Sequence, residues 1–260
     1  LGVATVMALG LAYTGAGAAL RLEETTFRKC AIWWAITAIM IVGLFAMGSR
    51  GAILAILLIG VALIAITRNL KLMAALVTLV AVAIALALAL PGKFNSARFA
   101  EKTEQLVHSG KLDPKNDGVR FDMWKIGLAQ FSQGGKPLFG IGPRNFPSID
   151  TSRLHFDQPL VADYPRLHHA HNLFVNKLAE EGVFGLSALL ALFGLVAISL
   201  VRDSLAGRWK RWEWFAALGA LLVPAIAGFF NTPWHQEHAM LAMMMFGLYM
   251  RARKVDFAGN

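Results

Sequence analysis

With one cysteine in 260 residues, Cys30, the chain cannot form an intramolecular disulfide. Cys30 falls in a segment read below as cytoplasmic and serves best as a small apolar side chain. Charge is sparse too: 16% of residues are Asp, Glu, Lys or Arg, against about 25% in an ordinary soluble domain. Motifs for handling nucleotides are missing. Gly140-Ile141-Gly142-Pro143 lacks the Lys-Ser/Thr sequel of a phosphate-binding loop. There is no dinucleotide fingerprint and no nucleophile elbow. No Asp-x-Asp pair occurs to hold the metal of a nucleotide sugar. These absences argue against a cytoplasmic sugar-nucleotide transferase. They fit chemistry on a lipid-linked donor outside the cytoplasm, where nucleotides are scarce.

Apolar sequence is what the chain has in abundance. Hydrophobic residues make up 57%, and the mean hydropathy is +0.55. The run Leu72 to Leu90 contains no charge and a single hydroxyl, Thr78. Roughly 18 apolar residues are enough to signal a membrane-spanning helix. Seven apolar segments emerge: about 1–20, 31–48, 51–67, 72–90, 172–201, 213–231 and 236–251. The expected fold class is therefore all-α, a polytopic transmembrane protein with about seven helices and one large periplasmic loop. Residues 1–90 would hold four helices and 91–171 the loop. Residues 172–260 would hold three helices and a short cytoplasmic tail. Leu1 opens the chain inside an apolar run without a signal-peptide pattern. We read the chain as a piece of a longer protein, with earlier helices ahead of residue 1.

Charge orients this arrangement. The formal net charge is +9; in a soluble protein that would suggest nucleic acid, but here the positive-inside rule explains much of it. One set of short loops holds Arg21, Arg28, Lys29, Arg68, Lys71, Arg202, Arg208, Lys210, Arg211, Arg251, Arg253 and Lys254. The opposite short loops hold Arg50 alone. The basic side is cytoplasmic by this rule, so the long loop faces the periplasm of a bacterium and the bilayer is an obligate partner. Trp209, Trp212, Trp214 and Trp234 sit where interfacial tryptophans are expected.

The long loop has order of its own. Asn116-Asp117 can cap a helix over 119–133. Met123, Trp124, Gly127, Leu128 and Phe131 recur on one helical face, with Arg120 a turn earlier. Gly134-Gly135 should end it. The stretch Pro137 to Phe146 then mixes Gly, Pro and apolar residues as a tight turn does.

Candidate chemistry lies at the outer ends of the helices. His168-His169-Ala170-His171-Asn172 stands where the long loop re-enters an apolar helix. Histidine titrates near neutral pH, so a neutral imidazole can accept a hydroxyl proton. A metal site would draw His169 and His171 together with His155, Asp157, His235 or His238, but the spacing matches no zinc signature. The bland alternative is that the histidines cap the helix. Asn172 would orient a neighbouring histidine or bind substrate. Arg50, in Gly48-Ser49-Arg50-Gly51, is the lone charge in a long apolar hairpin. It is placed to bind an anion with its planar fork, or simply to snorkel at a headgroup. Arg120 is either a second cation for an anionic substrate or a surface arginine paired with Asp117 or Asp122. Glu180 and Glu181 have Lys177 or Arg166 as partners in reach, and His171 only if the chain folds back.

Taken in order, these stretches resemble the bacterial superfamily of O-antigen ligases, O-antigen polymerases and O-linked oligosaccharyltransferases, most closely the ligases. They are Gly48-Ser49-Arg50-Gly51-Ala52, Arg120-x-x-Met123-Trp124, Pro137 through Phe146, His169-Ala170-His171-Asn172-Leu173-Phe174, and Glu180 through Leu186. The resemblance implies a metal-independent transferase without cofactor in the bacterial inner membrane. Its donor would be a glycan on undecaprenyl pyrophosphate and its acceptor a lipid A–core sugar. Arg50 and Arg120, with Arg144 nearby, would grip the pyrophosphate. His171, with His169 as alternate, would be the base. Polymerization, protein O-glycosylation and lipid-linked glycan transport remain alternatives. A transporter would carry midplane charges and repeat halves, and neither is visible.

Overall fold

The computed structural model describes residues 32, 34–43, 54, 57–61, 117–160, 167–209, 211–232 and 236–258. Cys30, Arg50, Arg166, Trp234 and His235 lie outside these residues, as do the side chain of His238 and most of the four N-terminal apolar segments. Among the described residues the fold is helical throughout, without strands. The helices are α1 (Trp34–Gly43), α2 (Asp117–Gln133), α3 (Leu173–Leu205), α4 (Trp212–Ala227) and α5 (Gln236–Ala258). Two 3-10 turns, Phe146–Ser148 and Thr151–Arg153, lie between α2 and α3. The chain divides into two compact units. One comprises 100–194 and 227–235; the other comprises 1–99, 195–226 and 236–260.

Helix α3 has 33 residues and is the one described helix long and apolar enough to cross a membrane. It is broken at Gly182, whose φ of 67° and ψ of −163° lie outside helical space. The roughly 23 residues after the break would span about 34 Å, slightly more than the hydrocarbon core of a bilayer. Helix α4 stops at Ala227, four residues short of the 213–231 segment expected, and a turn through Asn231 follows.

Helix α2 matches the expected 119–133 closely and ends at Gly134-Gly135, where Gly135 takes a φ of 70°. Its buried face keeps Met123 and Gly127 of the expected face but is rotated from the rest of it. Asp122, Met123, Ile126 and Ala129 are buried, whereas Leu128 is exposed. Gly127 decides this register. A Cβ there would lie 2.6 Å from Val175 Cγ1 and 3.3 Å from Phe146 Cε2, so α2 packs tightly at that residue. Met123, Ile126, Phe146, Ile149, Leu167, Ala170 and Ala179 form the apolar core of this unit.

In the other unit, Asp203 is almost fully buried near the end of α3. It accepts hydrogen bonds from Arg208 Nη2 at 2.8 Å and Tyr249 Oη at 2.7 Å, and pairs with Arg253 Nε at 2.9 Å. Two of the expected cytoplasmic cations therefore also hold helix ends together. Trp214, expected at a membrane interface, turns its ring into the protein rather than toward lipid. It is buried, and its indole N–H donates to Leu200 O at 3.0 Å.

Candidate active site at the start of helix α3

The first turn of α3 accounts for every backbone N–H it would otherwise orphan. Leu173 N donates to Gly228 O at 2.7 Å, and Asn176 N to Asn172 O at 2.9 Å. The Asn172 side chain, as N-cap, accepts from Phe174 N at 2.9 Å and Val175 N at 3.1 Å. Its amide nitrogen faces Phe229 O at 3.4 Å. Asn172 therefore bonds to backbone rather than to a histidine. Its effect is to fix where the preceding residue sits. An anion at this end must be held by side chains, because the helix amides are already engaged.

That preceding residue is His171, in the left-handed region with φ 51°. Such backbone is uncommon outside glycine, and His is among the residues enriched there. Ala170 N donates to Asn176 Oδ1 at 3.0 Å and pins the segment leading in. The rings of His169 and His171 touch, with centroids 4.3 Å apart. Burial lowers the His171 pKa below its ordinary value; electrostatic interaction with Arg120, then with His168, lowers it further, and a hydrogen bond with Asn231 opposes them. His171 is thus held as the neutral imidazole at pH 7, the form that can accept a proton.

Arg120 lies in the first turn of α2 and is solvent-exposed. Asp122 pairs instead with Lys125 at 3.4 Å. The structure thus brings together His169, His171 and the field of Arg120. Arg144 is exposed in a left-handed turn with φ 63°. His168, part of the cluster read from the sequence, acts on His171 as well, and Asn231 joins the histidines although it did not stand out as a site residue. Asn231 carried a signal, its place on the same outer side as His171. Among the described residues no three of His, Cys, Asp and Glu converge as metal ligands would. His155 and Asp157 are exposed, and the His155 backbone is held by Gln133.

The Pro137–Phe146 turn joins this site through α3. Because Gly182 breaks the helix, Val183 N and Phe184 N do not bond to Ala179 O and Glu180 O. They donate to Pro137 O at 2.9 Å and Leu138 O at 3.1 Å. The vacated carbonyls of Ala179 and Glu180 accept from Ile141 N at 3.1 Å and Gly142 N at 2.7 Å. The turn is spliced into the helix ladder, four bonds for two. Contact is so close that a Cβ on Gly140 would lie 2.4 Å from the Glu180 backbone, and one on Gly182 2.4 Å from that of Leu138. Glu180, buried, accepts from Phe146 N at 3.0 Å. Glu181 pairs with Lys177. Neither carboxylate is on His171.

Splice, turn and histidine cluster are the same stretches that carried the family resemblance. A family model described as O-antigen ligase matches residues 35–190. The chain belongs to the O-antigen ligase family, and so to the glycosyltransferase-type enzymes of lipopolysaccharide biosynthesis. No curated protein matched it.

Proposed function

We propose that this protein transfers an O-antigen glycan from undecaprenyl pyrophosphate to a sugar hydroxyl of lipid A–core at the periplasmic face of the inner membrane. The observation that carries this reading is the ring contact of His171 with His169 at the start of a span-length helix, where burial and then Arg120 lower the His171 pKa. The acceptor hydroxyl attacks the anomeric carbon of the donor glycan, and its proton passes to the His171 imidazole. The bond from that carbon to the pyrophosphate oxygen breaks. Undecaprenyl pyrophosphate departs as an anion, and Arg50, Arg120 and Arg144 stabilise its charge as it develops. Asn172 holds His171 at the helix start, and His169 is the alternate base. No metal is required, because arginines neutralise the leaving group.

This reading keeps seven spans in the chain, four over 1–90 and three over 172–260, with 91–171 as the periplasmic loop. Complementation tests it. Full-length wild-type protein, His171→Ala and Arg50→Ala are expressed in a bacterium lacking its ligase, and lipopolysaccharide is separated on a gel. Wild type should restore the O-antigen ladder on lipid A–core, and both variants should strand glycan on the lipid carrier. A ladder that returns with the variants would refute the site. A wild type that fails to restore it would move the assignment to polymerase, protein glycosylation or transport.

A further inference from the structure

We infer that the Pro137–Gly142 turn is a membrane anchor, seated among the lipid acyl chains at the outer boundary of the bilayer beside helix α3. Leu138 and Phe139 are exposed, Phe139 to 72%, in a loop otherwise expected in water. They do not stand alone. Phe139 packs on Phe184 with ring centroids 5.2 Å apart. Val183 and Phe184, also exposed, open the apolar part of α3, and Leu190 continues that exposed face two turns later. The turn therefore extends the uncovered apolar surface of a span-length helix. That continuity selects acyl chains as its occupant. From Gly134 to Pro143 the one charged residue is Lys136, at the edge of the turn.

The backbone supports the same placement. Irregular backbone enters hydrocarbon only where its polar groups are satisfied by protein. Here Pro137 has no N–H to satisfy, and Pro137 O and Leu138 O accept from α3. Ile141 N and Gly142 N donate to α3, and Gly140 N donates to Lys136 O at 2.8 Å. The splice at Gly182 thus pairs four of the turn's backbone polar groups with α3 and holds the turn at the boundary, where the Leu138 and Phe139 side chains reach the apolar layer. It would also tie the loop bearing Arg120 and Arg144 to the membrane surface, where a lipid-borne pyrophosphate lies.

The inference rests on α3 being a span, and the test separates the two. In full-length protein with Cys30 and any cysteine outside this segment changed to Ser, a nitroxide label is placed singly at Leu138→Cys, Phe139→Cys, Leu190→Cys and Ser152→Cys. The protein is reconstituted in phosphatidylethanolamine/phosphatidylglycerol nanodiscs. Collisions are measured with oxygen, which partitions into hydrocarbon, and with a water-soluble nickel chelate. Labels at 138 and 139 should lose nickel accessibility to the level at 190 while remaining open to oxygen; the label at 152 should stay open to nickel. Nickel access at both 138 and 139 equal to that at 152, with 190 protected, overturns the anchor and leaves the span intact. Labels at 138 and 139 shielded from both reagents mean that protein covers the turn, and also overturn it. Nickel access at 190 removes the span and the anchor together.

Discussion

Replacing Gly182 by alanine should pull the turn out of helix α3. The backbone at Gly182 lies in a region that is essentially glycine's alone, and another residue there costs about 1–3 kcal/mol. The new Cβ would also fall 2.4 Å from the Leu138 carbonyl carbon and oxygen and 2.6 Å from Phe139 N, all backbone. Straightening the helix relieves both problems. Val183 N and Phe184 N would then return to Ala179 O and Glu180 O. Two of the four splice bonds are thus replaced within the helix, and two are lost to water at about 1 kcal/mol each. Alanine's helix propensity returns up to about 1 kcal/mol. The straight helix is then the cheaper state, and docking weakens by about 2 kcal/mol or more. Hydrogen exchange reads this directly. The amides of Ile141 and Gly142 should exchange about 30-fold faster in Gly182→Ala than in wild type, taking about 1.4 kcal/mol per factor of ten. Those of Val196 and Leu200 should be unchanged. Gly194→Ala is the control, because a Cβ there meets nothing within 4 Å. Unchanged exchange at 141 and 142 in Gly182→Ala would refute the splice as the device that seats the turn.

The same geometry yields three further expectations. His171 has its pKa lowered by burial and then by Arg120, so its neutral form persists below the ordinary 6.5. Glycan transfer by reconstituted protein should fall only on acidification past that point, and Arg120→Gln should move the acid limb to higher pH; an unmoved limb would detach Arg120 from His171. The sign for stability follows. Between the folded pKa and 6.5 the unfolded chain binds more protons, so this contribution is complete above 6.5 and declines as pH falls through the folded value. Glu180→Ala leaves the Phe146 amide buried and unsatisfied, a cost of about 1–3 kcal/mol. Glu180→Gln retains an acceptor oxygen and should recover most of the loss in thermal unfolding. Asp203→Ala strips two arginines and Tyr249 of their shared carboxylate. It should cost about 3 kcal/mol, the low end for a broken buried pair, because Arg208 and Arg253 retain some water access; an unchanged melting temperature would mean that the network holds nothing.

How far the sequence alone could be read differs from element to element. Composition and periodicity determined the helical class, the extent of α2, its stop at Gly134-Gly135, and a helix beginning just after His171. Each of these depends on residues near one another in the chain. The ordered motifs likewise pointed to the family and to a histidine at the loop–helix junction. The tertiary structure decided the rest. The buried face of α2 follows its contact with Val175 and Phe146 at Gly127, which no local period contains. Asn172 reads as a ligand or orienter in sequence, and becomes a helix cap only once the paths of Phe174, Val175 and Phe229 are known. Glu180 and Gly182 read as ordinary helix residues because their partners lie about forty residues upstream, in the Pro137–Phe146 turn. The neutrality of His171 is a property of burial and of a cation fifty positions away. The physical reason is common to all four: local sequence sets propensity and pattern, whereas close approach, desolvation and the exchange of backbone hydrogen bonds exist only between segments that folding brings together.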